Sequence, residues 1–468
     1  MIRLAAALVL LTGLVAGCAS SDEQPQARPK PRPKPQPRPE PRRARHEARV
    51  YVSVIDGDTH RRVKGAVVKI GRHVDEVSRR GVATLAVRRA RSLPVTATAP
   101  RYGKRRVRLG FARHRWRTLF LYQRALQWPM YGVTPQRTQT QTSIRIRPPF
   151  RIAWTRGMGS LIEFPAVVSE GVAFIGNARG LVLAVSMRTG KIAWRRNTGG
   201  KMAASPAVVG EELVAHGMDG RVYVLDRYNG RILRRFSVGS PIESSPVVRH
   251  GVDYFGAWNG NVYALDLRRG RRRWVYRSGY KITSSAALAG GTVFIGDYGG
   301  RLLAIGATTG RLRWSGSVNG RIYGTPAVAA GRVFVPSSTG GSLTAFTTGG
   351  RTLWSRQTGA YVYSSPAAWD GRVFVGSYNG LLYCLSARSG ATLWTASAGG
   401  RISGAVVVVD GIAYAGTTRH IIGVDVRTGR LRVNFRHGEY VPVSGNGQRL
   451  LFHGFSRLYA LEPRRRST

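Results

Sequence analysis

From residue 160 onward the chain alternates short apolar runs with turn residues, and the arrangement recurs. In the clearest stretch, Ser364-Ser365-Pro366 leads into Gly371-Arg372-Val373-Phe374-Val375-Gly376. A turn at Asn379-Gly380 follows, then Leu381-Leu382-Tyr383-Cys384-Leu385 and Leu393-Trp394. Runs of this length, rich in β-branched and aromatic residues and bounded by turns, predict strands. Asn-Gly reaches positive φ readily and suits a tight hairpin. The same slot holds Asp219-Gly220, Asn259-Gly260 and Gly299-Gly300. Each repeat is therefore expected to contribute four short strands. Almost no helical periodicity is present.

A tryptophan closes the repeat. Trp154, Trp194, Trp274, Trp314, Trp354 and Trp394 fall on a forty-residue period, with Arg234 on the one missing beat. The Trp ends an 11-residue pattern, complete as Ala264, Asp266, Gly270 and Trp274. A ring of that size on an outer strand is expected to wedge between neighbouring units and bury area at each interface. Four strands in about forty residues is the size of a propeller blade. Seven units begin near 160, 200, 240, 280, 320, 360 and 400, the seventh carrying Val433 in place of Trp. An eighth stretch, 437–463, has only three strands. Its fourth is expected from Phe150-Arg151-Ile152-Ala153-Trp154, which has the outer-strand pattern with no strands before it. The fold class predicted is all-β: an eight-bladed propeller of four-stranded blades spanning 148–463, closed by its N-terminal strand so that no edge is left exposed.

These repeats, with Trp128-Pro129-Met130-Tyr131-Gly132 ahead of them, resemble the pyrroloquinoline quinone (PQQ)-like propeller repeat family. That family includes quinoprotein dehydrogenases and the non-enzymatic lipoprotein of the outer-membrane β-barrel assembly machine. The resemblance implies the fold and leaves the activity open.

The region before the propeller divides by composition. Arg3 and the apolar run Leu4–Leu14 read as an export signal over 1–17, too short for a conventional membrane span. Val15-Ala16-Gly17-Cys18 resembles a bacterial lipobox, which implies cleavage before Cys18 and diacylation of its sulfur. Two acyl chains suffice for stable anchoring. Residues 18–48 are Pro- and Arg-rich and lack the apolar content to build a core, so an extended spacer is expected. Apolar alternation at Val50–Ile55, Ala66–Ile70, Val82–Val87, Pro94–Ala99 and Thr118–Tyr122 predicts a small β-sandwich over 49–122. Val63-Lys64-Gly65-Ala66-Val67-Val68, Gly81-Val82-Ala83-Thr84-Leu85 and Ala99-Pro100-Arg101-Tyr102 resemble the carboxypeptidase regulatory-like domain. Residues 123–147 read as a polar connector without a strand pattern, and 464–468 as a basic tail.

The net charge of +50 over 468 residues raises the question of a polyanionic partner. Only eight of the 73 basic residues are lysine, an arginine bias that GC-rich coding produces without any ligand. Lys191, Arg231, Arg271, Arg311, Arg351 and Arg430 share one repeat phase and are expected to form a solvated rim. Lys201, Lys281, Arg321 and Arg401 share another, at the start of the innermost strand, where Leu161, Pro241 and Tyr361 fill the other blades. These four are the candidate anion site at the channel mouth, set against a merely soluble face. No nucleic-acid-binding module is present, and nucleic acid is set aside as a partner.

Signatures of catalysis are weak. The enzymatic branch of the resembling family implies PQQ, calcium, a stacking Trp, a catalytic Asp and often adjacent cysteines, and none of these can be placed. Glu163 and Glu243 share an inner-strand phase, but a calcium cage takes 6–8 oxygens. The nine histidines show no zinc spacing and read as surface residues. Cys384 sits in the small-residue slot of the Trp pattern and reads as a buried structural thiol. The expectation is an exported, lipid-anchored, non-catalytic scaffold without a cofactor. It would sit on the outer face of the cytoplasmic membrane or on an outer membrane and dock envelope proteins or peptides, with envelope protein assembly as one version. The alternatives are a PQQ-dependent oxidoreductase using calcium, and a binder of anionic wall polymer or lipid headgroups.

Overall fold

A computed structural model describes residues 47–88, 92–110, 115–441 and 443–464. The expected export signal, Cys18, nearly all of the spacer and the end of the basic tail lie outside the described residues. From Ala48 onward the chain forms one compact unit.

Between Phe150 and Pro463 the strands fall into eight consecutive antiparallel sheets, seven of them each made by one repeat and the eighth by the last three strands together with the first. The second shows the plan: Ala207–Val209 innermost, then Glu212–His216, Arg221–Asp226 and the outer strand Ile232–Ser237. Burial follows from position. A second strand such as Val252–Gly256 is buried along its whole length, covered on both faces by neighbouring sheets, and so reads as a continuous apolar run. An outer strand such as Thr392–Ser397 alternates between exposed and half-buried positions. The hairpin glycines are required twice over. Gly260 has φ +76°, and a Cβ there would stand 2.9 Å from the Tyr280 carbonyl oxygen.

The two ends of the array pair as the repeat pattern predicts. Phe150–Gly157 runs antiparallel to Arg457–Pro463, with Trp154 opposite Ala460. The innermost strand of the first sheet, Val167–Ser169, also adjoins that of the eighth, Ser444–Gly445.

Each docking tryptophan reaches the next sheet. The indole N–H of Trp154, Trp194, Trp274, Trp314, Trp354 and Trp394 donates to a carbonyl there, at 2.8 to 3.3 Å. The ring covers the glycine of the following pattern: a Cβ on Gly310 would lie 2.6 Å from Trp274, and one on Gly390 2.6 Å from Trp354. All six rings are half-buried rather than fully enclosed. On the missing beat the wedge shifts by two residues. Arg234 bonds Glu212, and Phe236 covers Gly270 instead.

The connector departs from expectation. Residues 128–141 form a strap across the hub, bonded to the innermost strands of six sheets. Trp128 and Val168 exchange two hydrogen bonds of 2.8 Å. Val208 donates to Pro129 O at 2.7 Å, Leu288 to Pro135 O at 2.8 Å, and Val328, Ala368 and Val408 to Gln136, Thr138 and Gln139 carbonyls, each at 2.9 Å. Thr140–Gln141 adds a fifth, parallel strand to the seventh sheet. Val133, Arg137 and Gln139 hold φ of 69°, 57° and 55°, values that persist only where the surroundings over-determine them.

Ahead of the strap, a three-stranded sheet (Val82–Arg88, Glu47–Asp56, Trp116–Leu121) and a four-stranded sheet (His73–Glu76, Val67–Ile70, Leu93–Thr98, Arg105–Leu109) share one apolar core. Val52, Val68, Leu85, Val95 and Leu119 belong to it. His73–Glu76 and Arg105–Leu109 were not among the expected strands, because charged residues interrupt their alternation. Arg105 of the small domain pairs with Glu170, in the turn after Val167–Ser169, and Arg227 of the second sheet pairs with the same carboxylate.

Candidate functional site

The strap closes the hub at one end with a buried cation. Arg137 is fully buried, and its guanidinium donates to Ala286 O at 2.9 Å, Ser245 O at 3.0 Å and Pro246 O at 2.9 Å, and also to Tyr131 O. Burial pulls its pKa down to about 10, a shift opposed by nearby Asp253. Tyr131, also buried, crosses to the sixth sheet and donates to Ser365 Oγ at 3.1 Å. Above the strap, hydroxyls link successive innermost strands. The backbone N–H of Ser205 meets Ser245 Oγ at 3.1 Å, Ser245 meets Ser285 Oγ at 2.8 Å, and Thr325 meets Ser365 Oγ at 2.9 Å.

Two histidines expected at the surface belong to this buried framework. His216 and Asp253 are 1% and 0% exposed, and Nε2 stands 2.8 Å from the carboxylate. His216 Nδ1 lies 2.6 Å from Ser244 O, and since a carbonyl only accepts, Nδ1 is the donor in that contact. Sealed from solvent, the pair is structural and offers no general base to a substrate. His453 Nε2 accepts from Ala166 N–H at 3.0 Å, joining the eighth sheet to the first. Repeat phase gave no hint of either, because their partners come from other repeats.

The opposite end is open. A funnel of about 240 Å³ descends to Tyr131, with Glu163, Glu243, Thr283, Tyr323 and Tyr363 on its walls. Glu163, Glu243, Thr283, Tyr323 and Tyr363 share one repeat phase, so the sequence divides the funnel into a carboxylate side and a tyrosine side. Tyr298, Tyr323, Tyr363 and Tyr378 form a continuous row, with successive ring centroids 4.5, 5.0 and 4.8 Å apart. The two carboxylates are not a cation cage. Glu163 pairs with Lys201 at 2.7 Å, and Glu243 accepts from Trp258 Nε1 at 3.0 Å. Burial raises the Glu243 pKa, opposed by the Trp258 bond and the Lys281 charge. Among the described residues no group of three or more His, Cys, Asp or Glu side chains could hold a metal ion.

The four candidate cations all lie at this mouth, in two different settings. Lys201 is ion-paired to Glu163. Lys281 Nζ stands 3.3 Å from the centre of the Trp258 ring, beside Glu243. Arg321 and Arg401 lie over Tyr298 and Tyr378, at 5.7 and 5.9 Å, with no carboxylate within ion-pair distance among the described residues. The expected single positive focus is thus partly neutralised on the Lys201–Lys281 side and kept on the arginine side. In three of the four cases the supporting ring lies 23 residues earlier, in the hairpin turn of the preceding sheet. That regular spacing is a signal the sequence holds. Cys384 is buried and unbridged, its thiol pushed up to about 12 by burial.

Residues 147–279, 258–368 and 340–464 match a family model described as outer membrane protein assembly factor BamB. No curated protein matches the chain. Among solved structures, BamB from Moraxella catarrhalis is 17% identical with a TM-score of 0.59, over 67% of this chain and 98% of that one. The quinohemoprotein alcohol dehydrogenase from Comamonas testosteroni is 13% identical with a TM-score of 0.63, over 74% and 82%. The computationally designed Ika8 protein is 17% identical with a TM-score of 0.59, over 66% and 97%. Identities this low carry the fold and no activity.

Proposed function

The chain belongs to the family described as outer membrane protein assembly factor BamB, and on that premise we propose that it is an exported, lipid-anchored, non-catalytic propeller that docks envelope proteins or peptides. The observation that carries this reading is the asymmetry of the hub. One end is filled by the strap, and the connections around the other expose large aromatics: Trp258 at 37%, Tyr280 at 51%, Tyr361 at 51%, Tyr440 at 39% and Phe455 at 53%. Exposed aromatics interleaved with arginine are the composition of interface anchors. Diacylation of Cys18 would hold the protein at the membrane, and assembly of envelope proteins is the version that the family description favours.

The likeness to a quinohemoprotein alcohol dehydrogenase favours one competing reading, a PQQ-dependent oxidoreductase. The residues lining the funnel do not fit that cofactor with its calcium. Its two carboxylates are engaged by Lys201 and Trp258, short of the 6–8 oxygens calcium takes. The cavity of about 240 Å³ also falls below the usual range of cofactor sites.

Thermal unfolding with PQQ and Ca²⁺ separates the two readings. A ligand held by the native state at 100 times its Kd adds about 2.7 kcal/mol. The proposal expects an unmoved midpoint and no dye-linked alcohol oxidation. An upward shift with oxidation would replace it by the enzymatic reading.

A further inference from the structure

Three successive sheets set Arg321, Tyr361 and Arg401 in the same repeat phase at the open mouth, all exposed. The two guanidiniums lie over Tyr298 and Tyr378, and these rings are joined through Tyr323 and Tyr363 into one row. Tyr361 stands beside that row, its ring 6.3 Å from Tyr378 and 6.0 Å from Tyr363. A guanidinium lying over a ring is pre-organised, with N–H groups at its edge free to grip a carboxylate in two places. The tyrosines between offer rigid apolar area at low entropic cost.

Resting on the docking reading above, we propose that the Arg321–Tyr361–Arg401 arc is the seat of an extended acidic segment of a partner protein, two carboxylates flanking one aromatic or large apolar side chain. Its charge is complementary to the two arginines that lack an acidic neighbour. Its central side chain covers Tyr361, which is otherwise half in water. A uniformly charged polymer or lipid surface has no use for that alternation. It would gain as much from Arg231, just before the outer strand Ile232–Ser237, and Arg271, the first residue of the outer strand Arg271–Arg277, which are both exposed and form no ion pair among the described residues.

The test uses the full-length protein in detergent and a fluorescein-labelled peptide, Gly-Glu-Asp-Phe-Asp-Glu-Gly, followed by anisotropy. Its Gln/Asn counterpart, dextran sulfate and phosphatidylglycerol vesicles are compared with it. The acidic peptide is expected to bind and the amide peptide not to. The pair Arg321→Gln and Arg401→Gln should weaken binding about tenfold or more, and Tyr361→Ser about fivefold. The charge-matched pair Arg231→Gln and Arg271→Gln should leave binding unchanged, with equal melting midpoints for all variants. Equal loss in the charge-matched pair, or tighter binding of dextran sulfate or the vesicles through the same arginines, would overturn the assignment. Failure of the arc while an envelope protein still docks elsewhere removes this inference alone. PQQ binding removes the reading beneath it.

Discussion

Arg137→Met is expected to destabilise the protein by about 4 kcal/mol, read as a lower urea midpoint with an unchanged slope. The guanidinium ties the strap to the third and fourth sheets at once, through Ser245, Pro246 and Ala286 carbonyls, while also bonding Tyr131 O within the strap. Methionine fills much of the volume and donates nothing, so these buried carbonyls lose their charged donor. Each lost hydrogen bond to a charged group costs about 1.5–3 kcal/mol, partly recovered because the buried charge itself is removed. Asp253 also loses its nearby cation and depends on His216 alone. Arg137→Lys should recover only part of the loss, because an ammonium cannot reach carbonyls on both sheets in the fork geometry. A midpoint unmoved in Arg137→Met would mean that the strap is an ornament on an independently stable ring.

Trp314→Ala is expected to cost about 3 kcal/mol, toward the lower end for large aromatic deletions because the ring is half-buried. The ring packs against Phe294 in its own sheet and Phe346 in the next, with centroids 5.9 and 6.1 Å away. Its N–H donates to Thr348 O at 2.9 Å. Removing it opens a cavity between two sheets and leaves that carbonyl without its donor. Trp314→Phe should keep most of the packing and lose only the hydrogen bond, about 1 kcal/mol. Gly350→Ala should approach the Trp314→Ala loss from the other side: φ there is +102°, and the added Cβ would lie 2.8 Å from the ring. A melting curve unchanged by Trp314→Ala would refute the docking role of the six tryptophans.

What the sequence disclosed was whatever repeats. The Trp–Gly dock recurs because every sheet boundary poses the same packing problem, and Phe150–Trp154 betrayed its place by carrying an outer strand's pattern without the strands that precede one. The strap was illegible for the opposite reason. Thr134-Pro135-Gln136-Arg137-Thr138-Gln139-Thr140 is polar like a linker, and its work is done by backbone carbonyls, which leave no side-chain signature. Arg137 itself is one arginine in a chain with 73 basic residues. At the mouth, repeat phase located Lys201, Lys281, Arg321 and Arg401. It did not show that Glu163 and Trp258 would occupy the two lysines, since those contacts cross between sheets.

The central claim is that the protein works by docking other proteins at its open mouth. Photo-cross-linking in intact cells addresses it most directly, with benzoylphenylalanine placed at Tyr361, at Leu431 on the outer strand of the seventh sheet, and at Trp116 on the small domain, all exposed. The account predicts protein adducts concentrated at position 361, with the cross-linked peptide lying in an acidic stretch of the partner. Adducts from 431 or 116 with none from 361 would contradict it.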